Sequence, residues 1–333
     1  MSRLNPIWTA GRLNEALAEA DESTFLHLSP NGKIDRRKPN DVRSIAPGDQ
    51  RCRVLLTQLA EIPNEVDNAF RSLPAQLVLL AVDPEPWCRT LIGPGACASV
   101  GPFLDFVKPL WEWLVRAARA GRVYVTSDSQ LPPLGPSLRL SDPPFEGQAL
   151  PFPELTHADG RAAPAWLRKT IDDFDLSHVC EVRSTEDATA VLAGLLELQG
   201  FGDTSHELAQ SVEGRGRNRA GDYWHAIHHR REPDAGNAKY WFRRVGRHPI
   251  HPALVRVAGT LTAELERAEG GSAGVLFGTG NWDSFGFVDL CDRATKNRSP
   301  KLLAVAKKLQ FVEMMLLLLR TYEDATTDAA SRS

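Results

Sequence analysis

From Ser129 to Pro164 the chain runs through LPPLGP and SDPPFEGQALPFPE, a density of proline and glycine that no helix and no central strand survives. Whatever precedes this stretch and whatever follows it must therefore build separate cores. With 333 residues in all, either side has enough length to do so. The expected organisation is a mixed α/β region over 1–150, a Pro-rich linker with a connecting helix over 151–195, and a helical domain over 196–325. The fold class expected is mainly α, a helical bundle-like C-terminal domain preceded by a smaller mixed α/β region.

Patterning supports this division. Leu77–Val82 and Val123–Thr126 are short β-favouring runs that predict buried strands. Phe103–Gly121 places apolar residues at helical spacing and predicts a helix between them. Gly93–Pro102 (GPGACASVGP) lacks both the P-loop ending and the dinucleotide spacing, and is expected to be a turn. Residues 29–53 are basic and rich in turn formers, which predicts a solvated loop. A strand is predicted over His178–Val182. Helices are predicted over Thr185–Gln199, Ser205–Glu213, Gly221–Arg231, Asn237–Val245, Ala253–Ala268, Trp282–Thr295 and Lys301–Tyr322.

The net charge of −3, with both signs interspersed, gives no global field for nucleic acid or an anionic membrane. The apolar run Met314–Leu319 ends in Arg320, far short of the ~20 residues that cross a bilayer. The N-terminus has no long apolar run after its basic start. These features predict a cytoplasmic protein with no nucleic-acid or membrane partner. Five cysteines, scattered and never paired as CxxC, are expected to be buried free thiols.

The chemistry concentrates in Gly221–His251, GDYWHAIHHRREPDAGNAKYWFRRVGRHPIH. Asp222, His225, His229 and Glu232 are spaced 3, 4 and 3 apart, one stripe of a helix at 100° per residue, while Tyr223, Trp224 and Ile227 point the other way into a core. Two imidazoles one turn apart with a carboxylate beyond present donors that zinc or iron shares, so His225, His229 and Glu232 are both the candidate catalytic residues and the candidate metal ligands. The glutamate inside the zincin HExxH pattern is missing. His206, on the preceding predicted helix, can be brought toward the same stripe. Lys239 with Arg243, and Tyr240 with Arg244, are each one turn apart and offer charge to an anion. Together with Asp222 and His248 these form the candidate ligand-binding set.

Three functional readings stay open. In the first, the block is a polar pocket that binds or hydrolyses a small anionic or polyhydroxylated ligand without metal. In the second, the stripe holds zinc or iron in a metal-dependent enzyme. In the third, it is an internal network of a non-catalytic scaffold, with Arg230, Arg231, Arg243 and Arg244 paired to Glu232, Asp234, Glu213 and Asp222.

The stretch Asp203–Leu254 resembles a bacterial family without assigned activity, whose block reads SH-x-x-x-Q followed by YWHAI-x-HRREPD-x-x-NAKYWFRRVG-x-HP. Here it stands as Ser205, His206 and Gln210, then Tyr223 to Pro249. The family carries methionine where this chain has His228, which implies that His225 and His229 are the pair that matters. The resemblance covers the chain from about residue 195 onward and implies a site without naming a reaction.

Overall fold

The computed structural model describes residues 152–157, 165–269, 280–297 and 299–327, and of the earlier chain only 25–28, 34–37, 52–55, 65, 68–69, 72–81, 123–126 and 137–138. The chain divides into two compact units, one of residues 1–62 with 70–151, the other of 63–69 with 152–333. The fold is mainly helical, with strands among the described residues confined to the first unit.

In the first unit, β1 (Phe25–Leu28) and β2 (Ile34–Arg37) form an antiparallel hairpin, Phe25 opposite Arg37. β3 (Cys52–Leu55) is the middle strand of a second, parallel sheet, flanked by β4 (Val123–Thr126) and β5 (Ser137–Leu138). The strand at Val123–Thr126 is where the sequence places it. Part of the 29–53 segment, expected to be loop throughout, is instead the strand β2. The run expected as a strand at Leu77–Val82 is a helix, α1 (Ala75–Ala81). Leu77, Val78, Leu79 and Leu80 are all at most 1% exposed, and a segment buried on every side shows no periodicity to tell strand from helix. The Pro74 carbonyl accepts from the Leu77 and Val78 amides and starts the turn. Phe103–Gly121 and the Gly93–Pro102 loop lie outside the described residues.

The second unit carries α2 (Ala165–Asp172), α3 (Thr185–Leu198), α4 (Gly202–Ser211), α5 (Ala220–Arg231), α6 (Ala235–Val245), α7 (His251–Glu269), α8 (Ser284–Asn297) and α9 (Pro300–Thr326). The expected helices are present with ends shifted by a few residues, and the caps explain where they start. Ser184 Oγ accepts from the Asp187 amide at α3, Asp234 from the Asn237 amide at α6, and Ser299 from the Leu302 amide at α9, with Pro300 in the first turn. The strand expected at His178–Val182 is absent. Asp175 accepts from the Ser177 amide and closes a 3-10 turn over Leu176–His178, a local side-chain bond that competes with extended structure.

α5 packs against α3, α4 and α6, and every residue from Ala220 to Arg231 is buried. α9 packs against α3, α7 and α8, and is buried without a break from Leu309 to Leu318. These two helices are the axis of the unit. The close approach of α3 to α5 needs glycine at 194, where a Cβ would overlap the Trp224 indole. No helix among the described residues is long and apolar enough to cross a membrane. Cys291 is buried and free, and Cys180 is free and half-buried.

Candidate metal centre

Both faces of α5 are covered: Asp222 is 1%, His225 2% and His229 7% exposed. The helix is wrapped, and its polar groups point into the interior. What they meet there separates them into two kinds.

On one side the charges are matched. Arg230 Nη2 donates to Glu313 Oε2 at 2.6 Å, and Tyr223 Oη donates to Glu313 Oε1 at 2.9 Å, so both oxygens of this fully buried carboxylate are used. The Arg230 guanidinium also lies over the Phe287 ring, 4.5 Å from its centroid. Arg231 Nη1 donates to Glu197 Oε1 at 2.8 Å and also to the Glu197 carbonyl. His157 Nε2 lies 3.0 Å from the same carboxylate, and the His157 amide donates to the Arg231 carbonyl. Burial alone would raise the Glu197 carboxyl. Arg231, with hydrogen bonds from His157 and His228, outweighs that and holds it well below the usual carboxylate range.

On the other side sit imidazoles. His206 reaches from α4 over three rings of α5, with centroid distances of 4.4 Å to His225, 4.8 Å to His228 and 5.3 Å to His229. His225 and His229 stack on each other at 4.8 Å, as side chains one helical turn apart do, and His225 stacks on Trp241 of α6 at 3.9 Å. The α4–α5 loop enforces this register. Asp187 accepts from the Arg217 amide, Gly216 (φ +77°) takes a conformation that suits only glycine, and Ser205 Oγ of α4 donates to the Ala193 carbonyl of α3.

Ligand atoms of His206, His225 and His229 all lie within 4.8 Å of one another, as do those of His228, His229 and Glu232, and those of His157, Glu197 and His228. The third group already has its charge balanced by Arg231, which makes it an ion-pair network. In the second, Glu232 is 2.9 Å from His229 Nδ1 and 3.3 Å from His228 Nε2, so it orients both rings. The first group alone holds no carboxylate, and its His225 Nδ1, like His228 Nδ1, is buried with no hydrogen-bond partner. Burial, reinforced by His206 and His229, pushes the His225 imidazole down to about 3. Burial also lowers His206 and His229, in the latter against the pull of Glu232. His228 moves the opposite way, because Glu197 and Glu232 outweigh its burial and raise it.

Of the residues the sequence nominates, the structure brings His206, His225, His229 and Glu232 together. It sends the others elsewhere. Asp222 accepts from the Gly214 amide at 2.8 Å and faces Arg244 at 3.8 Å, so it ties down the α4–α5 loop. Lys239 donates to Asp289 of α8 at 2.5 Å. Arg244 pairs with Glu213 at 2.6 Å and lies over Trp241, while Tyr240 is 47% exposed beside it. Arg243 lies over the Phe285 ring. The basic run thus meets acids and rings rather than the imidazoles: Lys239 and Arg243 reach α8, and Arg244 reaches Glu213 after α4 and Asp222 of α5. His248 packs on Tyr223, beside His251, apart from the cluster. Of the expected ion pairs, those of Arg244 with Glu213 and Asp222 form, whereas Arg230 and Arg231 pair with Glu313 and Glu197 instead.

Three members escape the sequence reading. His228 stands at i+3 from His225 and at i−1 from His229, a position on the same face that periodicity alone admits; the family resemblance set it aside. Glu197 is a lone carboxylate at the apolar end of α3, between Leu196 and Leu198, and an ionisable group in such a run is the signal that was there to read. His157 falls in the proline-rich segment, where no pattern marks it. No family model, curated protein or solved structure matches the chain.

Proposed function

We propose that the helical unit is a metal-dependent hydrolytic enzyme, with zinc or iron(II) held by His206, His225 and His229. The observation that carries this reading is the meeting of three imidazoles whose ring nitrogens lie within 4.8 Å of one another, with His225 Nδ1 buried and unpartnered and His229 held by Glu232 at Nδ1 and by Asn237 at Nε2. An all-imidazole donor set suits a borderline ion, and no cysteine joins these groups among the described residues. Three protein ligands with a fourth position left open is the arrangement of catalytic sites rather than structural ones. Bound there, the ion supplies Lewis acidity and activates water at neutral pH.

The protein's own groups fit that task. Glu232 hydrogen-bonds His229, fixing its tautomer, and its 42% exposed side chain stands where solvent reaches the cluster. It is therefore placed both to hold a ligand ring and to accept a proton from water. His206, also half-exposed, marks the same solvent side. With Lys239 paired to Asp289, Arg243 over Phe285 and Arg244 paired to Glu213, the charge complement for an anionic substrate comes from the ion itself. Elemental analysis of protein purified without a histidine tag tests this. The expected result is about one zinc or iron per chain, lost in His225→Ala with the circular-dichroism spectrum unchanged. Metal-free protein that takes up neither ion on titration overturns the reading.

A further inference from the structure

Two rings of the proposed metal set, neighbours on α5, are held by different means. His229 Nδ1 lies 2.9 Å from Glu232, and its Nε2 lies 3.0 Å from the Asn237 amide nitrogen. His225 has no such bond at Nδ1, which is buried without a partner. An imidazole turns easily about its last side-chain bond, because that torsion is broad rather than confined to three staggered wells. A ring free to turn carries its nitrogens through an arc, whereas a working site tolerates only about 0.5 Å of misplacement. Something other than a hydrogen bond at Nδ1 must therefore set the His225 plane.

Trp241 stands in the place to do so. Its indole stacks on His225 with centroids 3.9 Å apart and planes within 21°, against 4.8 Å and 29° for the stack of His225 on His229. At 3.9 Å the two rings are in van der Waals contact, so turning the imidazole drives its edge into the indole face. The register of α6 delivers the indole there. Asp234 caps the helix by accepting from the Asn237 amide, and Trp241 and Phe242 follow Ala238 by three and four residues on its buried face. Trp241 is itself braced: Arg244, paired to Glu213 at 2.6 Å, lies over the indole 4.7 Å from its centroid.

The choice of an indole has a chemical consequence. A carboxylate here, as Glu232 is at His229, would favour the protonated ring. An indole offers a carbon face, which orients the imidazole and takes up neither of its nitrogens.

We propose that Trp241 is a positioning residue of the metal centre, its indole holding the His225 plane where a carboxylate holds that of His229; this rests on the metal reading above. The test is titration of the metal-free full chain with cobalt(II), followed by visible absorption. Trp241→Leu is expected to weaken cobalt binding about tenfold or more, as loss of an orienting partner does, and to change the bands of what still binds. Trp241→Phe restores a ring face and recovers the binding. Trp241→Met fills the space without a flat face and takes the place of the leucine variant should that one not fold. Trp282→Leu removes an indole of similar burial that packs on Phe287, and is expected to lower stability while leaving cobalt binding unchanged. Wild-type affinity and bands in Trp241→Leu, no recovery in Trp241→Phe, or an equal loss in Trp282→Leu overturns the proposal and leaves the metal reading standing. Absence of cobalt binding by the unaltered chain overturns both.

Discussion

Two buried polar regions lie on the two sides of one helix, and they are built on opposite principles. The Arg230–Glu313–Tyr223 group and the Arg231–Glu197 pair bring full charges out of water and set each guanidinium against a carboxylate, although Arg230 Nε and Nη1, Arg231 Nε and Glu197 Oε2 find no hydrogen-bond partner. The cluster of His206, His225 and His229 does the reverse: it gathers groups of one kind, keeps them neutral, and leaves His225 Nδ1 without a partner. A matched network holds α5 to α3 and α9. A gathering of unprotonated imidazoles contributes little to holding helices together and is costly in desolvation, which is why it is read as a binding site.

Substitutions should separate the two regions sharply. The largest effect is expected at Glu313. Glu313→Ala leaves Arg230 buried without its counter-charge and should destabilise the unit by ~3 to 5 kcal/mol, read from urea unfolding midpoints. A loss under about 1 kcal/mol would show that the pair is not the structural element claimed here.

Acid should distinguish them next. His225 and His248 are held down to about 3 and His251 to about 4, all below their ordinary 6.5. The unfolded chain therefore takes up protons that these rings refuse, and their contribution is complete above pH 6.5 and is lost as pH falls from there toward 3. His228, raised by Glu197 and Glu232, opposes this in sign: its contribution is present below 6.5 and fades as pH rises through its folded value. Glu197, depressed, stabilises above its ordinary 4.5 and loses that contribution only at lower pH. Since the lowered rings outnumber the raised one, metal-free protein should begin losing stability just below pH 6.5, before the carboxylates titrate. An unfolding free energy flat from pH 7 down to 5 contradicts that ordering.

The smallest effect belongs to the edge of the cluster. His206 is half-exposed, so His206→Ala should change metal-free stability by no more than about 0.5 kcal/mol while weakening metal binding. The same small stability change in Lys239→Ala, whose partner Asp289 is exposed, should leave metal binding untouched.

The second unit's helices were legible because their caps and periodicity are local: Ser184, Asp234 and Ser299 mark starts, and the 3.6 repeat follows. α1 was not, since Leu77–Leu80 is buried on all sides and gives no pattern to choose by. The same limit explains the site. Spacing puts His225 and His229 one turn apart with Glu232 a further turn on, and the two rings stack in α5 with Glu232, just past its end, against His229. Spacing cannot say what another element brings opposite, so it marks neither Glu197 nor His157, and the expected inward placement of Lys239, Arg243 and Arg244 gives way to Asp289 and Phe285 of α8, Glu213 and Asp222. His248 is close to the cluster in sequence, yet it packs on Tyr223 and lines a separate cavity.

The proposed metal enzyme stands or falls on whether His206, His225 and His229 from α4 and α5 form one coordination sphere. Titrating metal-free protein with cobalt(II) and recording its visible absorption tests this directly, because the intensity of the bands reports coordination number. One equivalent of cobalt should give intense four- or five-coordinate bands, abolished in His225→Ala and His229→Ala and retained in Lys239→Ala. A weak six-coordinate aqueous spectrum, unchanged by the protein, would contradict it.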